Sequence, residues 1–177
     1  MKKIYGYAIA ICCIISVGVI FYFCCWYQIT TVLLIRHAEA AGVPTNDPPL
    51  TTLGDTRAQR LAHVVANAGL DAIFVTNLQR TQQTAAYIAA DLGLTPIIIN
   101  ETQIEELVTA IKTDHLGEKI LVVNHSHTIP DIFEELNISE PPTVTSSDYD
   151  NLFVIHIRHW IFYRPRLTHL QYGEPTP

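Results

Sequence analysis

The sequence lacks charged residues over a long stretch near its start and lacks cysteine everywhere after that stretch. No Asp, Glu, Lys, Arg or His occurs from Ile4 to Tyr27, and all four cysteines fall within this run. Disulfide bonds therefore cannot stabilise residues 28–177. Of the 177 residues, 49% are hydrophobic and only 16% are charged, a composition that excludes an intrinsically disordered chain. The length suits one folded domain.

Basic residues are also scarce in the remainder of the chain. Residues 28–177 carry nine lysines and arginines against all 17 acidic side chains, a balance of −8. A protein that binds nucleic acid through phosphate contacts needs the opposite sign. The composition therefore excludes a nucleic-acid partner.

The uncharged run predicts a membrane anchor. As a helix, its 24 residues would be about 36 Å long, enough to cross a hydrocarbon core of about 30 Å with some tilt. Trp26 and Tyr27 lie where interfacial aromatic residues are expected, and Lys2 and Lys3 favour a cytoplasmic N-terminus. We therefore predict an anchor over residues 1–27 and a folded domain over residues 28–177. The domain of this single-pass protein would be periplasmic or extracellular in a bacterium.

Two other interpretations of the run remain open. A cleaved signal peptide would also be apolar, although no small-x-small cleavage site precedes the domain. A buried helix of a globular protein is the second alternative, and the absence of any charge over this length disfavours it.

The periodicity of residues 28–177 predicts alternating strands and helices. Strands without polar alternation, typical of a sheet covered on both faces, are followed by segments with apolar residues at helical spacing. This order predicts a three-layer α/β/α sandwich with a mostly parallel sheet, closed by a hairpin or an edge pair. The predicted strands are 30–35, 72–75, 96–99, 119–123, 152–157 and 161–170, and the predicted helices begin near 52, 81, 104 and 129.

Polar residues that could bind phosphate follow three of the predicted strands. The first strand ends in Arg36 and His37, the second runs into Arg80, and the fourth ends before His125. Ligands of open α/β sheets bind beyond the carboxyl ends of the strands, so these side chains are expected to converge. Two guanidinium groups can hold a phosphate dianion, and a neutral imidazole beside them can attack phosphorus. The sequence thus predicts a phosphate site with a histidine nucleophile.

Four segments resemble those of the histidine phosphatase superfamily, whose fold is that of phosphoglycerate mutase. Residues 36–39 (Arg-His-Ala-Glu) resemble its Arg-His-Gly-Glu signature, and residues 50–58 are similar to its Leu-Thr-x-x-Gly-x-x-x-Ala segment. Residues 76–85 are similar to its Ser-x-x-x-Arg-x-x-x-Thr-Ala segment, and residues 122–125 to its Val-x-Gly-His strand end. The matches occur in family order over about residues 30–136. The short chain resembles the small phosphohistidine-phosphatase branch.

The resemblance implies a reaction and its residues. His37 would be phosphorylated transiently and then regenerated by water, while Arg36, Arg80 and His125 would bind the phosphoryl group. The resemblance implies a phosphatase for a phosphomonoester or phosphoramidate and implies no metal or other cofactor. Its partner would be a phosphorylated small molecule, an envelope component or a phosphoprotein.

The sequence departs from the family pattern at three places. Ala38 replaces the signature glycine, and Asn124 replaces the glycine before the second histidine, where its side chain must point away or narrow the pocket. The family's general acid usually follows the third strand. Glu101 is our candidate there, whereas Glu105 and Glu106 lie on a predicted helix and are expected to face solvent. The alternative is that this segment supplies no acid, which a substrate with a good leaving group, such as a phosphohistidine, would tolerate.

Two alternative functions remain open at this point. A membrane-tethered relative could bind phosphorylated ligands without turning them over. A metallohydrolase could use His125 and His127 with Asp131, which have ligand-like spacing, although two nearby arginines would repel a cation. His127 alone is more typical of a capping or solvent-facing residue than of a catalytic one.

Overall fold

A computed structural model describes residues 2–26, 28–42, 46–159 and 165–176. The first helix, α1, covers Lys2–Trp26, and its described side chains are Tyr7 and residues 11–22. Within the described part of the chain, no helix has both the length and the apolar character that a membrane crossing requires. The structure therefore gives no support to the predicted anchor.

Six strands form one mixed sheet in the order β3-β2-β4-β1-β5-β6. The first four strands in this order run parallel, and β5 and β6 are antiparallel to their neighbours. The predicted α/β fold and its closing edge pair are confirmed, although residues 161–164 of the last predicted strand lie outside the described residues. The strands are β1 (Gln28–Arg36), β2 (Ala72–Val75), β3 (Ile97–Ile98), β4 (Lys119–Asn124), β5 (Asn151–His159) and β6 (Arg166–Gln171).

Two pairs of helices cover the two faces of the sheet. Alternate side chains of β1 point in opposite directions, so that Leu33 and Ile35 pack with one pair and Val32 and Leu34 with the other. Both faces of the central strands are therefore buried, which explains why their sequences lack polar alternation. The first pair is α2 (Thr52–Val65) and α3 (Gln79–Leu92), and the second is α4 (Ile104–Thr113) and α5 (Ile129–Glu135).

Two helices begin or end at residues that favour a helix terminus. The Thr51 side chain accepts a hydrogen bond from the Gly54 amide at 3.0 Å and so caps α2. Gly93 ends α3 with a φ of 65°, a left-handed conformation that glycine adopts without strain. By contrast, β3 has two residues instead of the predicted four. It lies at the edge of the sheet, where β2 is its one partner among the described strands, and both of its side chains are exposed.

The register of the sheet places the ends of two strands side by side. In the parallel pair of β1 and β4, Arg36 is opposite Asn124, so the next residue of each strand is a histidine. The backbone amide of His37 then donates to the Asn124 carbonyl at 2.9 Å. This register brings His37 and His125 together from positions far apart in the sequence.

Candidate active site

The two predicted histidines lie against each other at the carboxyl edge of the sheet. The ring centroids of His37 and His125 are 5.2 Å apart, with the ring planes at 61°. Both side chains are buried. The surroundings of each ring determine which nitrogen carries a proton.

His37 presents an unprotonated nitrogen. Its Nδ1 lies 2.8 Å from the carbonyl oxygen of Ala38, and because a carbonyl can only accept, Nδ1 carries the hydrogen. Burial lowers the pKa of His37 to about 4, the Ala38 hydrogen bond opposes this, and Arg36 and Arg80 lower it further. The ring is therefore neutral near pH 7, with the lone pair of Nε2 available for attack. Burial is the largest of these causes.

His125 is neutral for the same main reason. Burial lowers its pKa to about 3, and the nearby His37 and Arg80 lower it further. Its Nε2 lies 3.1 Å from the hydroxyl of Thr76. The same nitrogen lies 3.1 Å from Oε2 of Glu101. Thr76 follows β2, so the ends of three neighbouring segments hold this ring.

A loop after α5 holds the Arg36 guanidinium. Its Nη1 donates to the carbonyl oxygens of Ser146 at 2.6 Å and Asp148 at 3.3 Å. The ring of Tyr149 lies over the guanidinium, with 3.8 Å between the central carbon and the ring centroid. Burial lowers the pKa of Arg36, against the raising effect of Tyr149 and Asp148. The sequence analysis missed these loop residues, because the loop carries neither periodicity nor a family motif.

Arg80 lies in the first turn of α3 and is half-buried. Its charge lowers the pKa of both His37 and His125. The hydroxyl of Thr84 donates to the Arg80 carbonyl at 2.6 Å and accepts from the Ala38 amide at 2.9 Å. Thr84 thereby fixes the first turn of α3 against the loop that follows His37.

The Asn124 side chain points away from the site. Its Oδ1 accepts hydrogen bonds from the His125 amide at 3.0 Å and from the Thr128 hydroxyl at 2.7 Å. Thr128 lies at the start of α5, so Asn124 joins the end of β4 to that helix. Replacement of the family's glycine here does not fill the space in front of the histidines.

Glu101 is the carboxylate after β3 that reaches the histidines. Its side chain is 29% exposed and its Oε2 lies 4.0 Å from Nε2 of His127. The His127 ring stacks on His125 at 5.5 Å but remains 65% exposed. Glu105 and Glu106 are exposed on α4, as predicted.

Three buried polar atoms at this site have no hydrogen-bond partner among the described residues. They are Nε of Arg36, Oε2 of Glu101 and Nδ1 of His125. The Glu101 oxygen is close to His125, but the two groups are not aligned for a hydrogen bond. Since buried polar groups are nearly always satisfied, this cluster indicates where a polar ligand binds. Donors from a cation next to a neutral imidazole suit a phosphoryl group.

The loop after β1 is fixed by an ion pair between a buried arginine and a partly buried glutamate, and by one glycine. Arg57 of α2 is buried, and its Nε lies 2.9 Å from both carboxylate oxygens of Glu39. A Cβ placed on Gly54 would lie 2.1 Å from the Glu39 carbonyl oxygen, so only glycine fits there. The glycine of the Leu-Thr-x-x-Gly segment is therefore required because α2 packs directly against the backbone of the loop that follows His37.

The described residues do not provide the metal ligands that the metallohydrolase alternative requires. The part of the chain that the structure describes has no group of three or more His, Cys, Asp or Glu side chains able to hold a metal ion. His127 contacts His125 by stacking, and Asp131 is exposed on α5.

Comparisons with known proteins confirm the family resemblance. Residues 32–105 match the model of the histidine phosphatase superfamily (branch 1). A mycobacterial glucosyl-3-phosphoglycerate phosphatase has the same fold, with a TM-score of 0.67, 13% identity, and coverage of 82% of this chain and 100% of that one. The protein histidine phosphatase SixA in complex with tungstate gives a TM-score of 0.58 and 19% identity, over 73% of this chain and 94% of its own. No curated protein sequence matches the chain.

Proposed function

We propose that this chain, which matches the histidine phosphatase superfamily in sequence and in fold, hydrolyses a phosphomonoester or phosphoramidate through a phosphohistidine at His37. One observation carries the proposal. His37 is buried and neutral, its ring lies 5.2 Å from that of His125, and among the described residues Nε of Arg36 and Nδ1 of His125 have no hydrogen-bond partner. A phosphoryl group would satisfy those donors and present its phosphorus to the nucleophile.

In the first step, the lone pair of His37 Nε2 forms a bond to phosphorus. The bond from phosphorus to the leaving group breaks, and the leaving group takes its electron pair together with a proton from Glu101. Arg36, Arg80 and His125 bind the phosphoryl oxygens and stabilise the charge that develops on them. The contact between the His37 and His125 rings, the 3.1 Å from His125 to Glu101, and the effect of both arginines on the pKa of His37 support these roles.

In the second step, water attacks the phosphohistidine. The bond between phosphorus and Nε2 breaks, its electrons return to the imidazole, and inorganic phosphate leaves. The Glu101 carboxylate accepts the proton from the attacking water, which restores the starting state. The reaction balances without a metal or a redox partner.

Hydrolysis of p-nitrophenyl phosphate by the full chain, with and without EDTA, tests the proposal. We expect turnover that EDTA leaves unchanged, because every group assigned to the reaction belongs to the protein. Loss of activity in EDTA, with recovery on adding a divalent cation, would favour the metallohydrolase alternative. Binding of inorganic phosphate without any turnover of phosphoesters would favour the non-catalytic relative.

Replacing Glu101 with glutamine tests the general acid. We expect the effect on kcat/KM, which reports the first chemical step, to depend on the leaving group: small for p-nitrophenyl phosphate, whose phenolate leaves easily, and about a hundredfold or more for an alkyl phosphate. Glu105→Gln is the matched control, since Glu105 is an exposed carboxylate on α4. Equal losses of kcat/KM on both substrates would contradict the assignment of Glu101 as the general acid.

The sequence alone supports a proposal on location. Residues 4–27 carry no charge and follow Lys2 and Lys3, so we place residues 1–27 in a membrane with the catalytic domain outside the cytoplasm. A phosphorylated envelope component would then be within reach. A topology reporter fused after Pro177 should be active outside the cytoplasm, and activity of the reporter in the cytoplasm would contradict the orientation.

A further inference from the structure

Tyr149 lies against both Arg36 and His37 from the loop between α5 and β5. Its ring centroid is 3.8 Å from the central carbon of the Arg36 guanidinium. The same ring meets the His37 ring at a centroid distance of 6.1 Å and an angle of 64°. Tyr149 is half-buried and belongs to none of the four family-like segments. It thus touches the two residues at the end of β1 from outside the recognised site.

The Arg36 guanidinium is restrained on one edge and on one face. The edge that carries Nη1 donates to two loop carbonyls, those of Ser146 and Asp148. The Tyr149 ring covers the face, which favours a guanidinium plane parallel to the aromatic plane. The buried Nε has no hydrogen-bond partner in the part of the chain that the structure describes, and it is available to a ligand.

The backbone around Tyr149 is itself held in place. The Tyr149 amide donates to the Thr176 hydroxyl at 3.2 Å. That hydroxyl donates in turn to the buried carboxylate of Asp150 at 2.7 Å. These hydrogen bonds to Thr176, near the C-terminus, fix the backbone that carries the Tyr149 ring against Arg36.

We propose that Tyr149 is a positioning residue, which holds the Arg36 guanidinium so that its free Nε faces the phosphoryl oxygens. This inference rests on the proposed role of Arg36 in phosphate binding. Without the ring, the guanidinium keeps its two hydrogen bonds to the loop carbonyls, but its plane is free to rotate. Phosphate then has to fix the orientation of the guanidinium when it binds, which lowers the affinity. Attraction between a cation and an aromatic face corresponds to between about twofold and thirtyfold in affinity.

Calorimetric binding of inorganic phosphate to the full chain is the test, since it does not need turnover. We expect Tyr149→Ala to weaken phosphate binding about tenfold, within the range for such contacts, and Tyr149→Phe to stay within about twofold because the ring face remains. Tyr87→Ala is the control, because Tyr87 is an exposed tyrosine on α3 whose hydroxyl donates a hydrogen bond to the Asp55 carboxylate. Wild-type affinity in folded Tyr149→Ala, or an equal loss in Tyr149→Phe, would overturn the proposal.

A double-mutant cycle separates positioning from a general loss of stability. If Tyr149 acts through Arg36, Tyr149→Ala should have almost no further effect on phosphate affinity once Arg36 is replaced with alanine. Additive losses would overturn the proposal even with both variants folded. If the wild type binds phosphate but hydrolyses no phosphoester, the proposed function is refuted. The double-mutant cycle can still be measured in that case, because it uses phosphate binding alone. A wild type that binds no phosphate would overturn both.

Discussion

Replacement of His37 with alanine is expected to lower kcat for p-nitrophenyl phosphate by at least about a thousandfold, in line with the loss of a nucleophile in other enzymes. Among the described residues, only His37 combines a buried ring with an imidazole nitrogen, Nδ1, that is fixed by a backbone carbonyl, and this leaves Nε2 as the attacking nitrogen. Steady-state kinetics on the purified full chain measures the effect. His63→Ala, an exposed histidine of α2, is the control and should retain wild-type activity.

Phosphate binding should survive this substitution, because Arg36, Arg80 and His125 remain in place. Tight binding without turnover in His37→Ala would separate the chemical step from recognition of the phosphoryl group. Turnover in His37→Ala within tenfold of the wild type would contradict the role of His37.

Replacement of Arg80 with alanine is expected to reduce kcat/KM about a hundredfold or more, the range found when one preorganised charge donor is removed from an oxyanion site. Arg80 is half-buried and its charge lowers the pKa of both histidines, so in the proposed mechanism it would also stabilise a phosphoryl group bound there. Steady-state rates for p-nitrophenyl phosphate measure the loss. Arg80→Lys should recover only part of it, since lysine lacks the planar pair of donors.

Arg60→Ala is the matched control for Arg80. Arg60 lies on the neighbouring helix and pairs with Glu174 at 2.7 Å, and both side chains are largely exposed. Its removal should change kcat/KM by no more than about twofold, as surface ion pairs contribute little. Equal losses for Arg60→Ala and Arg80→Ala would mean that general charge, and not a specific contact, governs the rate.

The central sheet could be predicted because its strands are buried on both faces. Uninterrupted apolar segments such as residues 72–75 have no other place in a small domain, and the structure contains this strand with the same bounds. Once the strands are parallel, their carboxyl ends share one edge. The approach of Arg36 and His37 to His125 follows from that geometry.

Contacts made by irregular segments could not be predicted in the same way. Tyr149 reaches Arg36 from a loop whose path depends on tertiary packing. The direction of the Asn124 side chain depends on Thr128, which satisfies it at the start of α5. For Glu101, the sequence indicated only that the residue follows a strand, and the distance to His125 comes from the turn after β3.

Detection of phosphohistidine during turnover is the most direct test of the account. The full chain would be mixed with p-nitrophenyl phosphate, quenched at alkaline pH to preserve the N–P bond, digested, and examined by peptide mass spectrometry. The account predicts a phosphate on the peptide that contains His37, and its absence in His37→Ala. Turnover without any phosphorylated peptide, or with the phosphate on His125 or His127, would contradict it.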